Sequence, residues 1–288
     1  MPQATIPVSD SGGHVTNAVV PIAVSAGTLV AMGVNSRYFD DFVTKVAAVK
    51  NERFYAASQS PPNGSNYVDA KNAAAAGITP WLTFKSTPTT SFLNSLRSWI
   101  LTLARRPVID YYHEPDDNLS ASTYITNARL MSNAIKDVAD ISWCPRALNF
   151  GNPGPQGFTA EQYWPGDSYI DIAACDGYFK DKFPYGTPDD IYKPSYDFAI
   201  AHGKKWAVLE WGVQSNFPGV TPSARAACIN NFANWLVPRA ANIESLLYWE
   251  SGPPQVANDY QLRDDPIVRQ AYQDMLARPE FAPDPHPV

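Results

Sequence analysis

Glutamate is scarce in this chain. Glu52, Glu114, Glu161, Glu210, Glu244, Glu250 and Glu280 are all that 288 residues contain. Three of them close apolar runs: Glu114 follows Val108–His113, Glu210 follows Trp206-Ala207-Val208-Leu209, and Glu250 follows Ile243–Trp249. A carboxylate there is costly to desolvate unless it has a partner or a task. Two carboxyl groups that face one another can divide a reaction. One, with a raised pKa, protonates a leaving oxygen while the other stays ionised and attacks carbon. Pro115, following Glu114, fixes the backbone just beyond the strand. The plainer reading of each Glu is a rim residue paired with Lys or Arg.

The elements that would position these groups are legible as hydrophobic runs. Candidate strands are Leu29–Val34, Arg53–Ala57, Ile78–Phe84, Val108–His113, Ser142–Asn149, Ile170–Tyr178, Trp206–Glu210 and Ile243–Trp249. Short, continuous apolar runs suit a sheet covered on both faces. Their starts lie about 31 residues apart, the size of a βα unit. Helical periods fall between most of them. Phe92, Leu96, Trp99, Ile100 and Leu103 share one face; Ile125, Ala128, Met131, Ile135 and Val138 share another, with Ser120 or Ser122 as N-cap. Ser223 is the expected cap of a helix closed by Pro238, and Pro266 opens a last helix.

Alternating β and α elements leave an open doubly wound sheet or a closed barrel. No G-x-G-x-x-G follows an early strand, which removes the dinucleotide-binding version of the open sheet. The fold expected is α/β, a single (β/α)8 TIM barrel over residues 29–278. Residues 1–28, rich in Gly, Ser, Thr and Val, form an extension expected to close its bottom. The tail 279–288 has four Pro in ten residues and should be non-helical. Barrel active sites lie at the C-terminal ends of the strands. Glu114 and Glu210 are 96 residues apart, about three βα units, which puts them on strands four and seven.

His113-Glu114-Pro115, then Tyr163-Trp164-Pro165-Gly166-Asp167-Ser168-Tyr169-Ile170-Asp171, then Asp176-Gly177-Tyr178 and Glu210-Trp211-Gly212 together resemble glycoside hydrolase family 26. That family comprises β-mannanases and related endo-β-glycanases built on barrels. The resemblance implies Glu114 as general acid/base and Glu210 as nucleophile of a retaining double displacement on a polysaccharide. That mechanism needs their carboxyls about 5–5.5 Å apart. It further implies that Tyr178 bonds the nucleophile, with Asp176 as its companion. His113 sits beside the acid, and Trp249 floors the subsite under attack. Trp81, Trp211 and Tyr112, near strand ends, are candidate sugar-stacking surfaces, and Glu250 a secondary sugar contact. The chain also departs from the family. Mannanases of this family tend to carry Trp-Arg-Pro-x before His-Glu and an Asn two positions after the Glu. Ile109-Asp110-Tyr111-Tyr112 and Asp116 stand in those places. An Asp in place of that Arg reverses a charge beside the acid, so the substrate need not be mannan.

Charge and composition narrow the partners. The formal net charge of −6 disfavours a nucleic-acid partner, whose phosphates call for cations. No apolar run reaches the roughly 18 residues of a membrane span. Cys144, Cys175 and Cys228 are far apart and His14, His113, His202 and His286 share no ligand spacing, so neither a disulfide framework nor a metal site is expected. No cofactor is expected, and nothing requires more than a monomer. The sequence opens without a signal peptide. A secreted, surface or virion-associated enzyme is the leading expectation; a non-catalytic carbohydrate-recognition barrel, as on a phage tail, is the alternative.

Overall fold

The computed structural model describes residues 3–9, 15–21, 31–35, 42–43, 45–47, 49–56, 61–252 and 256–281. Eight parallel strands close on themselves: β3 (Ala31–Asn35), β4 (Asn51–Tyr55), β5 (Thr79–Phe84), β6 (Val108–Tyr111), β7 (Asp140–Trp143), β8 (Ile172–Asp176), β9 (Lys205–Trp211) and β10 (Ile243–Tyr248). β10 pairs with both β9 and β3, which completes the (β/α)8 barrel expected from the sequence. β1 (Gln3–Ser9) and β2 (Val15–Pro21) pair antiparallel in a sheet of their own. The expected closure of the barrel bottom by residues 1–28 involves residues outside the described set, as does most of the Pro-rich tail.

Helices α1 (Ser65–Ala75), α2 (Thr90–Ile100), α3 (Pro115–Asn118), α4 (Ala121–Ile135), α5 (Pro188–Ala201), α6 (Pro222–Leu236) and α7 (Pro266–Leu276) follow the strands. Ser120 caps α4, accepting from the Thr123 amide, as its position before the apolar period predicts. The cap of α6 is Thr221 rather than Ser223, because Pro222 takes the first helical position and shifts the start forward. Between β7 and β8 the described chain has only two short 3-10 turns, Ala147–Asn149 and Ala160–Tyr163. The motif Tyr163–Asp171 lies here and clamps the segment to its neighbours. The Tyr163 hydroxyl donates to the Leu119 carbonyl, Arg129 to the Pro165 carbonyl, and the Asp171 carboxylate accepts from the Ile141 amide.

Strand alternation divides the buried side chains into two concentric cores. Inside the barrel sit Trp81, Val108, Cys144, Ile172, Ala174, Ala207, Leu209 and Leu247. The larger core lies between strands and helices and takes the opposite strand faces, with Phe54, Leu82, Ile109, Trp143, Trp206, Val208, Trp211 and Tyr248 among its members. Trp211 meets Phe232 of α6, with ring centroids 5.0 Å apart, and Tyr272 of α7 at 5.9 Å. Trp211→Ala should leave a cavity there and destabilise the protein by about 3–5 kcal/mol. Denaturant unfolding measures this, and a loss below about 1 kcal/mol would contradict the packing described.

Candidate active site

The C-terminal end of the barrel interior is occupied by one cation and three carboxylates. Arg53 projects inward from β4 and its guanidinium is 1% exposed. Its Nη2 donates to Asp110 Oδ2 at 3.0 Å; its Nη1 donates to Asp176 Oδ1 at 3.1 Å and to Glu210 Oε1 at 3.0 Å. The fork suits a guanidinium and not an ammonium, because planar donors reach separate acceptors at once. Around it, Thr83 Oγ1 donates to Asp110 Oδ2 at 3.2 Å and the Cys144 thiol donates to Asp176 Oδ1 at 3.1 Å.

Glu210 owes its position to an irregularity in β9. Ala207 and Leu209 face the barrel interior, so strict alternation would turn Glu210 outward. Against β8 the register runs Cys175↔Val208 and then Asp176↔Glu210, and against β10 it runs Leu246↔Val208 and then Tyr248↔Trp211. The extra residue is a bulge that re-aims the Glu210 side chain into the mouth. There Glu210 Oε1 accepts from the Tyr55 hydroxyl at 2.7 Å, and Oε2 accepts from the Tyr178 hydroxyl.

Glu114 reaches the same mouth by a strained turn. Tyr112 and Glu114 both have left-handed backbones, with φ of 55° and 50°. Non-glycine residues in that region cost of order 1–3 kcal/mol each. The turn is held by its neighbours, since the Tyr112 amide donates to the Phe84 carbonyl at 2.9 Å and the Glu114 amide to the Cys144 carbonyl at 2.7 Å. A residue before proline ordinarily stays extended, and Glu114 takes the left-handed region. Pro115 instead starts the short α3. The Glu114 side chain is 22% exposed, with Arg146 Nε 3.3 Å from its Oε1. His113 Nδ1 lies 3.1 Å from Thr83 Oγ1, and its ring meets that of Tyr55 edge-on at 5.5 Å. Trp249, half-buried, meets Tyr55 from another side at 5.8 Å.

The electrostatics follow from burial. Desolvation drives the Asp176 carboxyl well above the usual carboxylate range, and the nearby charges of Glu210 and Glu114 push the same way against Arg53. Desolvation also raises Glu210, with the Glu114 charge adding to it and Arg53, Tyr178 and Tyr55 opposing it. Asp110 is pushed up to about 6 by burial, tempered by Arg53 and Thr83. One guanidinium faces three buried carboxyls, so burial disfavours the charged form most at Asp176, which has no exposed side-chain surface, while three donors oppose the same rise at Glu210. His113 is held neutral by burial and by the charges of Arg53 and Lys85.

Among the residues singled out by sequence, Glu114, Glu210, His113, Asp176, Tyr178 and Trp249 come together, and Tyr112 lies on the rim with Lys85 Nζ 5.1 Å from its ring centre. Three do not reach the cleft. Trp81 fills the barrel interior and is 2% exposed; Trp211 is fully buried in the outer core because the bulge that turns Glu210 inward turns Trp211 out. Glu250 is fully buried too, and its carboxylate accepts from the amides of Leu262 and Arg263 at 2.9–3.2 Å, which ties down the loop after β10. Asp110 does not reverse a charge beside the acid either, since it lies below the cleft, bound to Arg53. Asp116 is likewise structural, accepting from the Arg146 amide and Asn149 Nδ2. Arg53 and Tyr55 escaped the sequence reading, although an Arg inside an otherwise strand-like Asn51–Tyr55 was a signal for a buried pair.

Among the described residues no group of His, Cys, Asp or Glu is arranged to hold a metal ion, and no helix is long and apolar enough to cross a membrane. What remains is a carboxyl fixed by three donors, a second carboxyl, Glu114, close enough to raise it further, and a half-buried indole beside Tyr55.

No protein-family model matches the sequence, and no curated protein matches it. Solved structures do match in fold. GH26C from Muricauda sp. aligns over 89% of this chain and 87% of its own, with 13% identity and a TM-score of 0.63. A Cellulomonas fimi endo-β-1,4-mannanase double mutant aligns over 88% and 72%, with 14% identity and a TM-score of 0.64. The catalytic domain of the Bacillus sp. JAMB-750 GH26 endo-β-1,4-mannanase aligns over 86% of each chain, with 15% identity and a TM-score of 0.60. The chain thus has the fold of family-26 glycoside hydrolases, and the sequence resemblance to that family has a structural counterpart.

The buried carboxyl of Glu250 gives the loop after β10 a pH dependence. Burial pushes it from an ordinary 4.5 up to about 7, against the pull of the Leu262 and Arg263 amides. The folded state therefore binds its proton more tightly than the unfolded chain. Its contribution to stability is complete below the unfolded value and is lost as pH rises through about 7. Glu250→Gln cannot titrate. Between pH 5 and pH 8 the Tm of the variant should gain on that of the parent, and a constant gap across that interval would refute the assignment.

Proposed function

We propose that this protein is a retaining endo-β-glycoside hydrolase that cleaves a polysaccharide, a β-mannan or related β-glycan including those of cell surfaces, and that it acts outside the cell. The observation that carries the reading is the Glu210 carboxylate, fixed by Arg53, Tyr55 and Tyr178, with Glu114 close enough for its charge to act on it. The family-26 fold, and the endo-β-1,4-mannanases among its structural neighbours, support the same chemistry.

In this mechanism Glu210 attacks the anomeric carbon while Glu114 gives a proton to the departing oxygen. A glycosyl-enzyme forms; Glu114 then takes a proton from the water that hydrolyses it. Neither step calls for a metal or an organic cofactor. Each neighbour of Glu210 has a part in it. Arg53 and the two tyrosines keep its oxygens ionised and aimed, and they release charge density toward carbon as the bond forms. Asp176, whose charged form burial disfavours, shares Arg53 with the nucleophile. Neutral His113 orients the turn through Thr83, and Trp249 offers a flat apolar face to the sugar ring.

Glu210→Ala and Glu114→Ala should each stop the release of oligosaccharides from mannans, mixed-linkage glucans, xylans or bacterial envelope glycans while circular dichroism stays unchanged. The loss for Glu114 should be about 10²–10⁴-fold. Proton NMR of the first products should show the β anomer. Unchanged hydrolysis by both variants would reject the assignment, and binding of a glycan by the parent without cleavage would favour a carbohydrate-recognition role. Arg53→Lys keeps the charge and loses the fork. It should lower kcat more than it raises KM, and it should move the acidic limb of the pH profile to higher pH because Glu210 loses a donor to its ionised form. A profile identical to the parent's would show that Arg53 serves folding alone.

A further inference from the structure

The segment that follows β7 grips the turn bearing Glu114 at three points. The Cys144 carbonyl, one residue past β7, accepts the Glu114 amide at 2.7 Å. The Arg146 amide donates to the Asp116 carboxylate, which also accepts from Asn149 Nδ2. The Arg146 side chain reaches the same turn: its Nη2 donates to Asp117 Oδ2, and its Nε lies 3.3 Å from Glu114 Oε1. Arg146 is 39% exposed and Glu114 22%, so both are open to solvent, unlike the sealed Arg53. An ion pair this exposed adds little to stability. Its consequence is geometric, because a planar guanidinium shared by two carboxylates fixes the direction of each. Glu114, Asp116 and Asp117 lie within four consecutive residues, and all three converge on Arg146.

We propose that Arg146 is the positioning residue of the general acid: it aims the Glu114 carboxyl at the glycosidic oxygen and faces the charge left when the proton departs. The inference rests on the catalytic reading of Glu114 given above. In the first step the O–H bond of Glu114 breaks and its proton passes to the leaving oxygen. The electron pair of the severed C–O bond stays on that oxygen. Glu114 becomes a carboxylate beside a cation already in place, so the developing charge is stabilised without rearrangement. In the second step a water oxygen bonds the anomeric carbon and its proton returns to Glu114. Asp117 tempers the cation before reaction. It takes the Nη2 arm and supplies an opposing charge, so Glu114 faces a guanidinium that is already partly neutralised. Asp116 acts one step further back, by fixing the backbone from which the guanidinium projects. Each of the two reacting carboxyls thus has an arginine of its own, Arg53 for Glu210 and Arg146 for Glu114.

The test compares leaving groups in the full chain. Mannohexaose, cellohexaose and xylohexaose have sugar leaving groups that need a proton. The 2,4-dinitrophenyl β-glycosides of mannobiose, cellobiose and xylobiose release a phenolate that needs none. Arg146→Met keeps the reach of the side chain's apolar stem and removes its charge and donors. It should lower kcat/KM for the cleaved hexasaccharide on the order of 10²-fold, and for the matching dinitrophenyl glycoside far less. Arg146→Lys, which keeps the cation, should recover part of the loss. In a Glu114→Ala background, Arg146→Met should lower the residual hexasaccharide rate no further, because its effect passes through Glu114. Equal losses with both leaving groups, or the full loss repeated in the Glu114→Ala background, would show a merely structural role and overturn the proposal. An active parent with an Arg146→Met variant indistinguishable from it would overturn this inference alone. A Glu114→Ala variant indifferent to the leaving group, or a parent inert toward all the probes, would overturn the catalytic reading and the inference together.

Discussion

The arrangement at the mouth of this barrel depends on one guanidinium surrounded by acids. Arg53 bonds Asp110, Asp176 and Glu210 at 3.0–3.1 Å in a space from which water is excluded. Removing Arg53 would leave buried carboxylates uncompensated, which is far more damaging than the pairs are stabilising. The consequence is a graded set of carboxyls. Burial raises Asp176, the most enclosed, well above the usual carboxylate range; three donors oppose the rise at Glu210; Asp110 anchors the far side of the fork. The charge on Glu210 is thus tuned by neighbours contributed by three other strands, β4, β6 and β8.

That cluster needs a dry, rigid seat, which the inner core supplies. Trp81, Leu209 and Leu247 fill the barrel beneath Arg53, while Trp143, Trp206 and Trp211 fill the shell between strands and helices. Aromatic residues near strand ends therefore serve two different ends. Trp249, just past β10, stands half-exposed beside Tyr55, whereas Trp211, one residue after Glu210, is locked among α6 and α7. Parity along the strand, altered by a single bulge, separates the two.

Carboxylates in this molecule perform three distinct kinds of work. Glu210 and Glu114 face the cleft. Glu250 and Asp116 bind backbone amides and hold the loops after β10 and β7. Asp110 and Asp176 exist for Arg53. The left-handed turn at Tyr112–Glu114 shows the same division of labour in backbone form. Its strain is sustained by amide bonds to Phe84 and Cys144 on the flanking strands, so that Glu114 is presented at the rim of a rigid scaffold.

The amino-acid sequence by itself determined the eight strands, their spacing, the barrel, and Glu114 and Glu210 at the ends of strands four and seven. These follow from hydrophobic period and local order, which are written in consecutive residues. Tertiary structure alone decided which side of its strand each neighbour occupied. Alternation predicts a face only while register is kept, and the β9 bulge shifted it by one residue between Leu209 and Glu210. Pairings such as Arg53 with Asp110, Asp176 and Glu210 lie 57, 123 and 157 residues apart, and no local pattern encodes them. The burial that turned Trp81, Trp211 and Glu250 away from the cleft is likewise a property of barrel closure. It arises because each strand's inner face is defined only once all eight have met.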